Sequence, residues 1–355
     1  MSQISVPVSL LDLAQVGPGE TVREALHHSL ELARFADSTV PDRTVADRND
    51  AGAGGFRRLW YAEHHNMAAI ASAAPAVLIA RMAAATSRIR LGAGGVMLPN
   101  HSPLAIAEQF GTLAELFGDR IDLGLGRAPG GDRATFAALR RSPADADQFP
   151  RDVVELQGYL RGIPQTFETA QDPAAGVVAT PGAGTDVPLY ILGSSLFGAQ
   201  LAAYLGLPYA FASHFAPAAL EQAISLYRKE FRPAQTPDGG TTEPYVIAAA
   251  AVIADADAEL AARQLHEAKR QRAKFLFARD RTLSDDQADA LLAGPAGRQV
   301  DEMLRYAAVG TPEHVRDELN RFAEHAQADE LMLGSLAPNR AVWFGTVEKL
   351  AQLAA

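Results

Sequence analysis

Two rhythms of apolar residues alternate along the 355 residues of the chain. Short continuous apolar runs bounded by turn residues read as strands covered on both faces, and longer stretches with apolar residues every third or fourth position read as amphipathic helices. Residues 6–11 form the first run. Gly17-Pro18-Gly19-Glu20 then breaks the chain, and Thr21 stands as an N-cap before the periodic stretch 22–36. The same order recurs at 58–62 with 74–84, at 89–94 with 103–116, and at 120–126 with 152–160. It continues at 188–192 with 195–205, 209–212 with 218–231, and 245–254 with 257–277, before an eighth strand at 330–334 and a last helix ending near Leu353. Eight strands alternating with helices predict an α/β fold in which one domain over 1–355 closes as a (β/α)8 TIM barrel, with an open doubly wound sheet as the alternative.

Three stretches interrupt the rhythm: 37–55, 165–186 and 279–308. The first is rich in Asp, Arg, Gly and Ala and reads as an inserted solvated loop. It returns from helix to strand, which in a barrel puts it on the face opposite the chemistry. The third follows the seventh strand and its helix, carries helical patches at 284–292 and 299–307, and reads as an excursion that is either a lid or a surface feature.

Composition narrows the function classes. The chain is 48% hydrophobic and 21% charged, within the globular range, and its net charge of −10 comes without a basic stripe, which argues against nucleic acid as a partner. There is no cysteine, so disulfides, thiolate catalysis and cysteine-based metal or iron–sulfur sites are excluded. The sequence has no 18-residue apolar run and its first residues do not form a signal peptide, so a cytoplasmic protein away from the membrane is expected.

In a barrel, active sites are built at the C-terminal ends of the strands. The second strand ends in Trp60-Tyr61-Ala62-Glu63-His64-His65-Asn66, a dense ionisable cluster suited to proton transfer, oxyanion stabilisation or metal ligation. The third strand ends in Gly94-Gly95, where a flat ligand can approach the backbone or a β-bulge can form. The fourth reads Asp122-Leu123-Gly124-Leu125-Gly126-Arg127-Ala128-Pro129 and fails the dinucleotide fingerprint, because Pro129 stands where its last glycine is required. Arg127 suits bidentate phosphate binding or a surface ion pair. After the fifth strand, Gly193-Ser194-Ser195-Leu196-Phe197-Gly198 opens directly into a helix and offers either an anion site or a plain N-cap. Together these segments describe one ligand, planar at one end and phosphorylated at the other, most simply FMN.

These segments resemble the bacterial luciferase-like family of flavin-dependent monooxygenases, in its single-chain alkanal-monooxygenase-like branch. The matching stretches are 56–67, 89–103 with Ala107-Glu108-Gln109, 120–131, and 193–216 with Leu205-Gly206-Leu207-Pro208. The resemblance implies a barrel that takes reduced FMN from a separate flavin reductase, reacts it with O2 and inserts one oxygen atom into a small organic substrate such as an aldehyde. It implies that His64 is the catalytic histidine, with Glu63 among the cofactor-binding positions. Gly94 and Gly95 match the place of a non-proline cis peptide behind the flavin ring. Arg127 matches a phosphate-binding arginine, Gly193, Ser194, Ser195 and Gly198 the phosphate loop, and Arg151 a second phosphate contact. No metal is implied. Gly126 stands where the light-emitting member has a reactive cysteine, so light emission is not expected. The resemblance also implies a homodimer packed through the helices after the early strands, where the Ala-rich stretch 68–85 permits close approach.

Phe110, Phe211, Phe215 and Met97 are candidate walls of an apolar mouth. Three other functions compete: a hydride-transfer relative using the deazaflavin F420, a metal-dependent hydrolase built on Glu63, His64, His65, His101 and His214, and a non-catalytic flavin binder. The hydrolase commonly needs a His-x-His pair on the first strand, where this chain has Ser9-Leu10-Leu11-Asp12.

Overall fold

The structure is a computed structural model and describes residues 3–41, 54–128, 132–163, 176–233, 241–278 and 282–354. Its elements in chain order are Val8–Asp12 (β1), Val22–Thr39 (α1), Phe56–Tyr61 (β2), Pro75–Ala83 (α2), Arg90–Met97 (β3), Pro103–Phe117 (α3), Ile121–Gly126 (β4), Arg133–Ala138 (α4), Phe149–Arg161 (α5), Leu189–Gly193 (β5), Leu196–Leu205 (α6) and Tyr209–Phe211 (β6). There follow Leu220–Glu230 (α7), Val246–Ala254 (β7), Ala258–Phe277 (α8), Asp285–Leu292 (α9), Pro295–Met303 (α10), Ala308–Gly310 (β8), Pro312–His325 (α11), Glu330–Ser335 (β9) and Arg340–Leu353 (α12). Parallel pairing runs β1-β2-β3-β4-β5-β6-β7-β9, and β9 returns to β1, so eight strands close a TIM barrel. The open doubly wound alternative is thereby excluded.

The eight expected strands all form. The short β8 and the helices α4 and α11 are additions. α11 buries only Val315, Leu319, Phe322 and Ala323, a narrow stripe on an otherwise polar helix, although Thr311 accepts from the His314 amide as its N-cap and Pro312 follows in the first turn. Of the inserted loop at 37–55, residues 42–53 lie outside the described residues. Asp37 itself belongs to α1, and its carboxylate accepts from the backbone amides of Ser87, Arg88 and Ile89. Residues 164–175 and 279–281 of the other two interruptions also lie outside the described residues.

Alternation along each strand splits the apolar side chains between two cores. On β4, Ile121, Leu123 and Leu125 enter the large core between barrel and helices, leaving Asp122, Gly124 and Gly126 for the interior. The interior is filled by Leu11, Trp60, Ala62, Tyr190, Ala210, Ile247, Ala249 and Met332. Trp60 takes the space that glycines on the next strands give up: a Cβ on Gly92 would lie 2.8 Å from its indole nitrogen, and one on Gly94 2.9 Å from its Cβ and Cε3. Tyr190 meets the Trp60 ring edge-on at 5.0 Å.

Beneath this layer lies a buried polar floor. Arg58 binds Glu330 through two hydrogen bonds of 2.8 and 3.0 Å, and Asp122 and the Tyr190 hydroxyl at 2.7 and 2.8 Å. Arg90 and the Trp60 indole complete Asp122, while Ser9 and Tyr245 donate to Glu330. Burial works to raise the Asp122 carboxyl, but Arg90 and Arg58 outweigh it and hold the group below the ordinary aspartate value.

At the opposite end β7 overshoots its neighbours. Val252 pairs with Ala308 on one edge and Ser335 on the other, so β8 continues the edge that the three-residue β6 leaves open. The interior face of this overshoot, Ala251 and Ile253, packs with Ala261 and Ala268 of α8, Val300 of α10, Leu304 and Leu336 in a third core. The excursion after β7 is therefore a packed cap on the β7 side of the mouth, not a loose surface feature. Gln271 of α8 donates to the Pro338 carbonyl in the loop after β9 at 3.1 Å, which ties the cap to a second strand end.

Removing one partner from a buried ion pair strands the others without solvent. Arg58→Met should therefore lose about 3–5 kcal/mol of stability, read as a lower urea midpoint at unchanged slope. A loss below about 1 kcal/mol would mean that the floor does not hold the barrel together.

Candidate active site

The segments singled out in the sequence follow β2, β3, β4 and β5, which are consecutive in the barrel, so their C-terminal tips form one contiguous arc of the mouth. Each contributes differently.

Glu63 is fully buried. One of its oxygens accepts from His65 Nε2 and His101 Nε2, both at 2.8 Å, and the other from the Met97 amide at 3.0 Å. Burial pushes the carboxyl up, yet these hydrogen bonds outweigh it and hold Glu63 below the ordinary glutamate value. The carboxylate thereby clamps the tip of β2 to the loop after β3. His65 and His101 belong to that clamp. Among the described residues no group of three or more His, Asp or Glu side chains is placed to hold a metal ion.

His64 is different. It follows the end of β2, and its backbone amide donates to the Ser72 carbonyl at 3.0 Å. Its Nδ1 is enclosed and has no hydrogen-bond partner. Burial depresses the imidazole below the ordinary histidine value, Glu63 opposes this, and His65 adds to it, so the ring is neutral at pH 7. His214, just past β6, also has an enclosed, unpartnered Nδ1. Its imidazole is pushed down to about 4 by burial first, then by the charges of Arg272 and His64. The charges of Arg272 on α8 and of His64 therefore both act on His214. The sequence reading weighed His214 only as a metal ligand and passed over Arg272. The signal for Arg272 was its spacing: it falls on the inward stripe Ala261, Ala268, Arg272 of α8.

The peptide between Gly94 and Gly95 is cis, and the pairing of β3 with β4 slips at the same place, so the cis peptide sits within a β-bulge. A Cβ on Gly95 would lie 2.6 Å from the Gly124 carbonyl oxygen, so this backbone approach is demanded by the chain itself. The Met97 thioether lies where a side chain at Gly126 would go.

Arg127 lays its guanidinium 4.2 Å over the ring of Phe197, in the first turn of α6, and reaches the Ala146 carbonyl and Asp147 at 3.2 and 3.3 Å. Ser195 is the N-cap residue of α6 but makes no side-chain cap, leaving the first amides of the helix without a partner from that side chain. Gly193 and Gly198 face each other beside Tyr209, which lets α6 sit close to β5 and β6. Ser194 lies between Gly193 and the N-cap, partly exposed. An anion at this helix end would meet free amides, the positive end of α6 and a guanidinium. Arg151 is not brought into contact with that loop. It is mostly exposed and pairs at 3.6 Å with its own neighbour Asp152.

Phe110 and Phe211 are buried in the outer core and do not line the mouth, Phe211 facing out from the barrel wall and Phe110 facing in from α3. Phe215 does reach the surface beside His214, their rings edge-on at 4.9 Å.

A family model described as luciferase-like monooxygenase matches residues 11–329. A luciferase-like monooxygenase of Escherichia coli strain K12 is 43% identical over 341 residues, covering 94% of this chain and 92% of that protein. An N-acetyl-S-alkylcysteine monooxygenase of Bacillus subtilis is 33% identical over 326 residues, covering 90% and 89%. Among solved structures, apo-MsnO8 superposes with a TM-score of 0.80 at 34% identity, covering 99% of this chain and 98% of that one. The same fold occurs, at 16% identity and a TM-score of 0.71, in the FMN complex of the oxygenating constituent of 3,6-diketocamphane monooxygenase from Pseudomonas putida, covering 100% and 98%. It also occurs, at 18% identity and a TM-score of 0.70, in an F420-dependent secondary alcohol dehydrogenase, covering 99% and 98%. Among the described residues no helix is long and apolar enough to cross a membrane.

His214 links the site to acid stability. Its folded value of about 4 lies below the ordinary 6.5, so the unfolded chain binds more protons in between; stability is complete above about pH 6.5 and falls as the pH drops toward 4. Between about pH 7 and pH 5 the parent should lose about 1–2 kcal/mol more than His214→Gln in urea unfolding. Equal losses in the two proteins would refute the assignment.

Proposed function

The chain belongs to the luciferase-like monooxygenase family, and from that premise we propose that it is an FMN-dependent monooxygenase that inserts one oxygen atom of O2 into a small organic substrate. Reduced FMN would come from a separate reductase, as the family resemblance implies. The observation that carries the cofactor assignment is the meeting of Arg127 with the uncapped start of α6 over the Phe197 ring, 4.2 Å from the guanidinium. It would supply a phosphate subsite one strand away from the Gly94–Gly95 stretch of β3, against which a planar ring would lie.

Arg127, the α6 amides and the Ser194–Ser195 turn would hold the phosphate, and Gly94 and Gly95 would back the ring. Bound in reduced form, FMN supplies the two electrons that activate O2. His64 presents a neutral imidazole whose enclosed Nδ1 has no other partner, so it can accept or return a proton where bulk water does not compete. Glu63 acts at one remove by fixing the β2 tip from which His64 projects. The cap of α8 to α10 restricts water on the β7 side, which protects reactive oxygen chemistry from hydrolysis.

Aldehydes are the first substrates to test. Thioethers join them because the Bacillus subtilis relative is named for an S-alkylcysteine derivative. In anaerobic titration the parent and His64→Ala should bind reduced FMN equally. On adding O2 and the substrate panel, the variant should lose turnover by about 100-fold or more. Tight F420 binding with no FMN binding would replace the cofactor, and full activity in His64→Ala would remove its catalytic role. Arg127→Ala should weaken FMN about tenfold while leaving riboflavin, which lacks the phosphate, unchanged.

A homodimer through α2 and α3 accompanies this reading, because Val77 and Leu116 stand 69% and 65% exposed on these neighbouring helices. Light scattering should give twice the chain mass, and Val77→Glu should shift it toward the monomer.

A further inference from the structure

We propose that Gly126 on β4 is the seat of the Met97 thioether, and that this pair sets how large a ligand the site admits by keeping the mouth clear between Gly94–Gly95 and Arg127. The flavin reading above supplies the occupant; packing alone supplies the seat.

Two glycines of this wall are demanded by backbone. A Cβ on Gly95 would lie 2.6 Å from the Gly124 carbonyl oxygen, and one on Gly124 would lie 2.4 Å from the Ala93 carbonyl oxygen. Both oxygens belong to strands of the closed barrel and have nowhere to move. Gly126 differs. Its φ lies outside the left-handed region, and beyond its chain neighbours the backbone atom closest to an added Cβ is the Val96 oxygen at 3.8 Å, an ordinary contact. What such a Cβ would strike is Sδ and Cε of Met97, both at 2.9 Å. A thioether is unbranched and flexible, so it can move where a strand carbonyl cannot. β4 therefore has room for a side chain at this position only if Met97 gives up its place.

Register shows where Met97 would go. Gly126 pairs with Met97 on one side and with Leu192 on the other. Val96 is buried in the outer core, so Met97 next to it faces the barrel interior, where it is half-buried. The space below is taken by Leu192, whose Cδ1 lies 2.6 Å from where a Gly124 Cβ would be. The Met97 backbone is fixed as well, its amide donating at 3.0 Å to the fully buried Glu63. A displaced thioether is thus sent up into the mouth. There it stands between the two proposed subsites, because Gly95 precedes Met97 by two residues on β3 and Arg127 directly follows Gly126. A ligand reaching from the Gly94–Gly95 backbone to the Arg127 guanidinium passes this rung.

The test compares the parent, Gly126→Ala, Met97→Ala and the double variant by calorimetric titration with oxidised FMN and with riboflavin. Gly126→Ala should bind both about tenfold more weakly, the size of an overpacking penalty. Removing the thioether in the double variant should restore binding to within about threefold of the parent. In NMR with methyl-labelled methionine, the Met97 signal should shift in Gly126→Ala while those of Met82 and Met332, buried elsewhere, stay in place. Unchanged affinity in Gly126→Ala, or a weakening that persists in the double variant, overturns the proposal. So does an equal loss of urea midpoint when Gly126→Ala is introduced into the parent and into Met97→Ala, which would mean that β4 needs the glycine for its backbone. Loss of the preference for FMN over riboflavin in Gly126→Ala also overturns it, since the substitution would then act through Arg127. A parent that binds neither flavin removes the flavin reading and with it the occupant, while the Met97 signal still decides the seat.

Discussion

Everything above the barrel floor rests on the guanidinium of Arg58. It makes four hydrogen bonds to Glu330, Asp122 and Tyr190, and through these acceptors Ser9, Arg90, Trp60 and Tyr245 join the same network. The participants come from β1, β2, β3, β4, β5, β9 and the residue before β7. A shift of one residue in any of those strands would turn its polar side chain away from the interior and leave the others buried without partners. The net stabilisation of such a network is modest, because desolvation offsets most of the attraction. Its larger effect is to make one register far better than its neighbours.

A floor closed in this way allows the layers above it to be uneven. Most of the barrel fills its interior with side chains, but on β3 and β4 the inward positions above the floor are Gly92, Gly94, Gly124 and Gly126. Trp60 leans into the lower part of that gap. Leu192 and the Met97 thioether reach into the upper part. Polar partners are divided just as unevenly: Glu63 is fully engaged within its clamp, whereas the enclosed Nδ1 atoms of His64 and His214 have none.

Much of this was legible in the sequence. Buried parallel strands are continuous apolar runs, so all eight were found, and the glycines and Arg127 stood at strand ends where chemistry is built. What escaped notice had weaker signals. α11 hides a narrow stripe in a polar segment, and β8 is three residues long. Glu63 and His64 looked like one cluster, but the first clamps His65 and His101 while the second keeps an enclosed Nδ1 without a partner. Phe110 and Phe211 went instead to the core between barrel and helices. Arg151 matched only by position, and nothing in the residue order tells a ligand-facing arginine from one that meets its neighbour.

β7 serves two cores on its interior side: Ile247 and Ala249 belong to the barrel filling, Ala251 and Ile253 to the packing under α8 and α10. The cap is thus a separate cooperative patch grafted onto one long strand, and it can loosen while the barrel stays shut. Residues on α8 and α10 are therefore free to drift toward new ligands without endangering folding, a division of labour that lets one scaffold serve many chemistries.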